Sequence, residues 1–183
     1  MKGSQETRFN ALAGIADLNN SSVLDVGCGF GDFYRFLTGR GVKVDYTGID
    51  LNPNFIEIAR KAHPDANFIV ADFEEDGVKG DYEWAFESGI FNLRISDNAK
   101  FIRNTLRRMY SVCNKGFAAD FLSPDAYNTS GRMHRQSPEE ILALCRKLSK
   151  RVILKCDYMV TEFCIYVYKN DRVYGNNTFI RER

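Results

Sequence analysis

The sequence predicts an α/β fold, a Rossmann-like and mostly parallel sheet with helices on both faces. Three observations predict it. Short apolar runs alternate with stretches of helical period as far as residue 122, the order of strand and helix that builds a parallel sheet. The stretch VLDVGCGFGD, residues 23 to 32, reads as a buried strand that turns through three glycines into a helix, the local design of a nucleotide site. Near the end two strand-like segments, 152–156 and 163–168, follow one another with no helix between them, so one strand must run antiparallel.

Each element has its own signal. Phe9, Leu12, Ile15, Ala16 and Leu18 recur at helical spacing over residues 5–18 and predict an amphipathic helix leading into the first strand, which is built on Val23, Leu24 and Val26. Asp32 stands where an N-cap belongs; Phe33, Phe36 and Leu37 give the following helix its apolar face and Gly39 ends it. Residues 45–51 form the second strand. Asn52 and Pro53 open a helix that carries Phe55, Ile58, Ala59 and Ala62 inward and stops at His63-Pro64. A third strand, 68–71, ends on the acid Asp72, and 82–86 forms the fourth. Ser96 caps a long helix whose face is Phe101, Ile102, Leu106, Met109 and Cys113; residues 114–116 stop it before a fifth strand at 117–122. A polar loop covers 123–136. Ser137, Pro138 and Glu140 then spell a capping box for a helix through Ile141, Leu144, Cys145 and Leu148. The closing hairpin follows, and the tail from 170 to 183 is polar and expected to fray.

With 183 residues the chain has room for one domain, 1–183. A net charge of +1 with 27% charged residues gives no global field to attract nucleic acid or an anionic membrane. The five cysteines (Cys28, Cys113, Cys145, Cys156, Cys164) are odd in number and form no CxxC pair, which predicts buried free thiols and a reducing compartment. The start, MKGSQETRFN, lacks an apolar signal core, and no run approaches the ~20 apolar residues of a membrane span, so a cytoplasmic protein is expected. The sequons at Asn20, Asn128 and Asn176 then carry no glycosylation message.

The spacing within the glycine turn narrows the ligand. Gly27, Gly29 and Gly31 spell GxGxG, whereas the third glycine of a dinucleotide fingerprint would fall at position 32, which is Asp. An acid, Asp25, stands two residues before the first glycine, and another, Asp50, about twenty residues after the turn. This (D/E)xGxGxG pattern resembles motif I of the class I S-adenosylmethionine (SAM) dependent methyltransferases, and the element order resembles that family over nearly the whole chain. The resemblance implies a sheet ordered 3-2-1-4-5-7-6 with strand seven antiparallel, and SAM as methyl donor across the carboxyl ends of strands one to four. The segment ESGIFNLR further resembles an (A/E)SGxFN signature of small stand-alone bacterial methyltransferases, in which an RF pair, here Arg8 and Phe9, recurs before strand one.

Carried over residue by residue, the resemblance implies that Gly27, Cys28 and Gly29 pass beside the methionine moiety, with Asp25 anchoring the turn or reaching the amino group through water. Asp50 would accept hydrogen bonds from both ribose hydroxyls, because a carboxylate offers two acceptor oxygens to a vicinal diol. Asp72 would receive the adenine amino group, Phe73 pack on the ring, and Leu51 cover its other face. Glu87 and Ser88, ending strand four, would lie under the sulfonium, and Arg8 would join them from the N-terminal helix, residues 1–20, which acts as a lid. The acceptor is expected between residues 90–95 and the loop 123–136, touching Phe91, Tyr127 and Arg132, with Asn92 and His134 as candidate catalytic groups. No metal is implied. Residues 87–92 do not spell the (N/D)PP(Y/F) motif of adenine and glutamine N-methyltransferases, and no Pro-Cys follows strand four. An O or N of a small molecule is therefore the expected acceptor. An RNA or protein methyltransferase, and a SAM-binding partner without activity, stay open. Arg103, Arg107 and Arg108 read as a solvated helix face.

Overall fold

The computed structural model describes residues 3–76, 78, 80–127 and 131–170. The polar tail and the sequons at Asn128 and Asn176 lie outside the described residues, Asn170 excepted. The elements are α1 (Gly3–Ala13), β1 (Ser21–Val26), α2 (Asp32–Thr38), β2 (Val44–Asp50), α3 (Pro53–Ala62), β3 (Asn67–Val70), β4 (Tyr82–Glu87), a 3₁₀ turn (Ile90–Asn92), α4 (Asn98–Val112), β5 (Cys113–Leu122), α5 (Pro138–Cys145), β6 (Val152–Lys155) and β7 (Glu162–Tyr168). The strands form one seven-stranded sheet ordered β3-β2-β1-β4-β5-β7-β6. Strands β1 to β5 pair in parallel, and β7 runs antiparallel to both β5 and β6. The predicted order and the antiparallel seventh strand are both present.

Several local expectations are corrected. Helix α1 ends at Ala13 and not at residue 18; Gly14 N–H bonds Asn10 O, and Ile15 and Leu18 reach the core from the turns that follow. Gly31, in the left-handed region at φ 78°, precedes α2, and Asp32 is its first residue, not its cap. In α3 the cap is Asn52, as expected, but the buried face is Ile56 and Ala59. Phe55 and Ile58 are exposed, because Phe55 turns outward to pair with Phe30 at 4.7 Å between ring centres. Asp97, not Ser96, caps α4, accepting from Lys100 N–H at 2.9 Å. That helix runs without a breaker into β5, which begins at Cys113 rather than at 117. Ser137 caps α5 as expected, its hydroxyl oxygen accepting Glu140 N–H at 3.3 Å while the hydroxyl donates to Glu139 Oε2 at 2.5 Å.

Alternate residues along the strands feed two core layers. One gathers Phe9, Phe33, Phe36, Phe86 and Tyr166 beneath α1 and α2; the other gathers Phe91, Phe117, Phe121 and Phe163 beneath α4 and α5. Helix α1 and the turn after it are tied to β7 by hydroxyls: Tyr166 donates to Ala11 O, and Tyr168 to Ile15 O at 3.0 Å. Four of the five cysteines are buried, and Cys156 is exposed. Among the described residues no helix is long and apolar enough to cross a membrane.

Candidate functional site

The glycine turn hangs from β2. Gly27 and Cys28 both donate backbone N–H groups to Ile49 O, at 2.8 and 2.9 Å, which folds the chain back over the carboxyl end of the sheet. Gly27 (φ 75°) and Gly29 (φ 56°) lie in the left-handed region, where a side chain is strained. A Cβ on Gly27 would meet Ile90 Cγ2 at 2.3 Å, whereas the space over Gly29 is open. The turn, the start of α2 and the inner side of α1 enclose a pocket of about 260 Å³, with Asp25, Gly27, Gly29 and Ser88 on one side and Gln5, Arg8 and Phe9 on the other. The sequence-predicted residues Asp25, Gly27, Cys28, Gly29, Ser88 and Arg8 are thus brought together.

Asp50 sits beside the turn, with Gly29 N–H on Oδ2 at 3.0 Å and Asn52 N–H on Oδ1 at 2.8 Å. Each oxygen keeps a free lone pair. The apolar side chains near it are exposed, Leu51 at 66% and Phe30 at 43%. Asp72 accepts from Glu74 N–H at 2.8 Å. Phe73 is buried in the second core layer with the Arg108 guanidinium 5.3 Å from its ring centre, so the open ring face expected there is turned inward.

The acceptor side departs further from expectation. Phe91 is fully buried, stacked on Phe121 at 5.0 Å and edge-on to Phe101; it is a core residue and not a substrate contact. Asn92 is buried, its Oδ1 accepting Leu122 N–H at 2.7 Å and its carbonyl accepting His134 N–H at 3.0 Å. This residue therefore stitches β5 to the loop instead of facing an acceptor. The two expected walls of the entrance are joined, because Leu93 and Met133 form an antiparallel bridge and Arg94 N–H bonds Arg132 O at 2.8 Å. Tyr127 is 76% exposed, and the His134 ring is hydrogen-bonded to the Gln136 amide. Partial burial and nearby Arg94 lower the His134 pKa, leaving it neutral near pH 7.

Residues 23–116, just over half of the chain, match the family model described as "Methyltransferase domain". A protein of Mycobacterium tuberculosis named as a methyltransferase is 32% identical over 158 residues, covering 81% of this chain and 93% of that one. The chain belongs to the class I SAM-dependent methyltransferases. Demethylmenaquinone methyltransferase of Thermotoga maritima is 38% identical over 122 residues, which cover 66% of this chain and 52% of that protein. In fold the chain is similar to the plantazolicin methyltransferase (TM-score 0.71, 16% identity, 91% of this chain and 83% of that one). A magnesium protoporphyrin IX methyltransferase from Synechocystis PCC 6803 solved with S-adenosylhomocysteine (SAH) gives TM-score 0.68 at 12% identity, again over 91% of this chain and 83% of that one. The family's methyl donor is SAM and its product SAH.

One part of this methyltransferase was missed in the sequence. Asp120 of β5 is fully buried and accepts the Ser88 hydroxyl at 2.5 Å. Arg8 lies 3.9 Å from Asp120 and 3.4 Å from Glu162, the first residue of β7. Beside them Glu87 is fully buried, its Oε1 capping Ile90 N–H at 2.7 Å. Burial pushes the Asp25 and Glu162 carboxyls up to about 7, against a Tyr46 hydrogen bond to the first and Arg8 beside the second. Burial also raises Glu87, with Asp120 adding to it. The signal was present: Asp120 interrupts the apolar run FAADFL, and Glu162 heads FCIYVY. A charge inside an apolar strand needs a partner.

Proposed function

We propose that this methyltransferase transfers the methyl group of SAM to an O or N of a small-molecule acceptor, as one cytoplasmic domain over 1–183 with α1 as the lid. The observation that carries the reading is the 260 Å³ pocket over the glycine turn, bounded by Asp25 and Ser88 and roofed by Arg8 and Phe9 of α1. The residues fit the donor. Gly29 leaves the backbone bare for a close approach, Gly27 lets Ile90 pack against the turn, and Asp50 holds one free lone pair per oxygen for the two ribose hydroxyls. Leu51 and Phe30 offer exposed apolar surface for adenine, and Asp72 its carboxylate for the amino group.

Bound SAM supplies a methyl group already activated on a sulfonium. The chain's own task is then to exclude water and align the acceptor, for which α1 covers the pocket and Ser88 lines its floor. Neutral His134, with Tyr127 and Arg132 on the same loop, is the candidate to receive the acceptor's proton. Against a basic face for RNA, Arg108 is engaged with the Phe73 ring and with Glu74 O, and Glu74 and Glu75 share the hollow beside Arg107.

Calorimetry with SAM, SAH and NAD tests the donor site: SAM and SAH are expected to bind and NAD far more weakly. Tight NAD binding with no SAM signal would overturn it. Tritiated SAM offered with metabolite, RNA and protein pools tests the acceptor. Label is expected in the metabolite pool, and label in RNA or protein instead would refute the small-molecule acceptor.

A further inference from the structure

Four neighbouring strands of the sheet, β1, β4, β5 and β7, each place one buried acid at the carboxyl end of the parallel strands: Asp25, Glu87, Asp120 and Glu162. The only guanidinium bridging to this group among the described residues is Arg8, which meets Asp120 and Glu162. Oxygens Glu87 Oε2, Asp120 Oδ1 and Glu162 Oε2 are buried with no hydrogen-bond partner among the described residues, as are Arg8 Nε and the Tyr158 hydroxyl. Such atoms cost free energy unless something pairs with them. The acids are not arranged to hold a metal ion. Two routes join them to the pocket: Asp25 lines it, and Asp120 lies directly behind Ser88, which also lines it.

We propose that these four acids form a charge-reading layer behind the donor pocket, reaching it through Asp25, Ser88 and Arg8 and giving up protons when the positive sulfonium of SAM arrives, so that the protein prefers charged SAM to its neutral-sulfur product SAH. The inference rests on the donor placement above. In the free protein burial raises these acids' pKa values, the charge of Asp120 adds to the rise at Asp25, Glu87 and Glu162, and part of the cluster stays protonated near neutrality. The groups facing it do not remove that excess. Tyr46 donates to Asp25, Asp50 and Cys28 stand on the near side, and Tyr158 and Cys164 on the far side. Asp32 of α2 is paired with Arg35 at 2.5 Å, and Lys155 of β6 with Asp157 at 2.6 Å. A cation held in the pocket beside this layer lowers the acids' pKa values, and protons leave. SAH carries the same ammonium and carboxylate but no charge on sulfur, so the difference between the two ligands isolates the sulfonium. Binding that releases protons tightens as pH rises.

Calorimetry of the full chain with SAM and with SAH, in buffers of different ionisation enthalpy from pH 6 to 8, reads the protons released. SAM is expected to release more protons than SAH, and the SAM-over-SAH preference to rise by about fivefold or more across that range. Asp120→Asn, which keeps the shape and removes a charge, is expected to lower the SAM-over-SAH preference at pH 8 about threefold. Equal proton release for both ligands, read on the wild-type chain and so independent of any variant's folding, overturns the proposal. Failure of both ligands to bind overturns the donor site itself.

Discussion

At the scale of single residues, the candidate site is built from side chains that already hold the local backbone in place. Asp50 fixes Gly29 and Asn52 through one oxygen each, which leaves each oxygen a second acceptor site. Asp50→Ala removes the two charge-assisted hydrogen bonds assigned to the ribose and is expected to weaken SAM by roughly 2 to 4 kcal/mol, at ~1.5 to 3 each with some recovery from water. Titration calorimetry checks it, and unchanged affinity would mean that the ribose is held elsewhere. His134 is the residue on which the loop's role turns. With the ring neutral near pH 7, His134→Ala is expected to lower turnover about tenfold, or about 1.4 kcal/mol in the barrier, while SAM affinity stays within twofold. Parallel losses in SAM binding and turnover would assign His134 to the donor site instead.

At the scale of elements, caps separate what sequence could and could not specify. Ser96 and Asp97 are adjacent candidates for the same helix start; the backbone brings Asp97 Oδ1 to Lys100 N–H and leaves Ser96 exposed. Asp97→Ala is therefore expected to cost about 1 kcal/mol in urea denaturation and Ser96→Ala close to nothing. Reversed values would return the cap to Ser96. The strand order, the hairpin and the glycine turn were legible because each follows from period, spacing and chain direction. The inward face of α3 was not: a shift of one residue chooses between Phe55 and Ile56, and the choice depends on Phe30 across the turn. Phe91 was misassigned for a similar reason, since nothing local distinguishes a ring stacked on Phe121 from one lining a pocket. Within the site, the glycine turn and Asp50 were legible from spacing, whereas the acids on β5 and β7 become neighbours of Ser88 and Arg8 only once the sheet is assembled.

For the whole molecule, the buried acids set how stability responds to pH. Asp25 and Glu162 titrate near 7 when folded, well above an ordinary carboxylate, so the folded state holds protons that the unfolded chain has lost. Their contribution is present at low pH and is lost as pH rises through about 7. The lowered His63 and His134 act with opposite sign as pH rises up through the ordinary histidine value, so they offset part of the fall below about pH 7 and none of it above. Between pH 6.5 and 8 the ligand-free protein is therefore expected to lose about 1 kcal/mol for each such acid, and its melting temperature to fall. A melting temperature that rises over this interval would contradict the burial of these acids. The ties between α1 and β7 carry a consequence for synthesis. The carbonyls of Ala11 and Ile15 wait for hydroxyls more than 150 positions downstream, and Arg8 waits for Glu162. On the ribosome α1 is made first and seated last: a nascent chain that has not yet released β7 carries a finished glycine turn beside an unanchored helix.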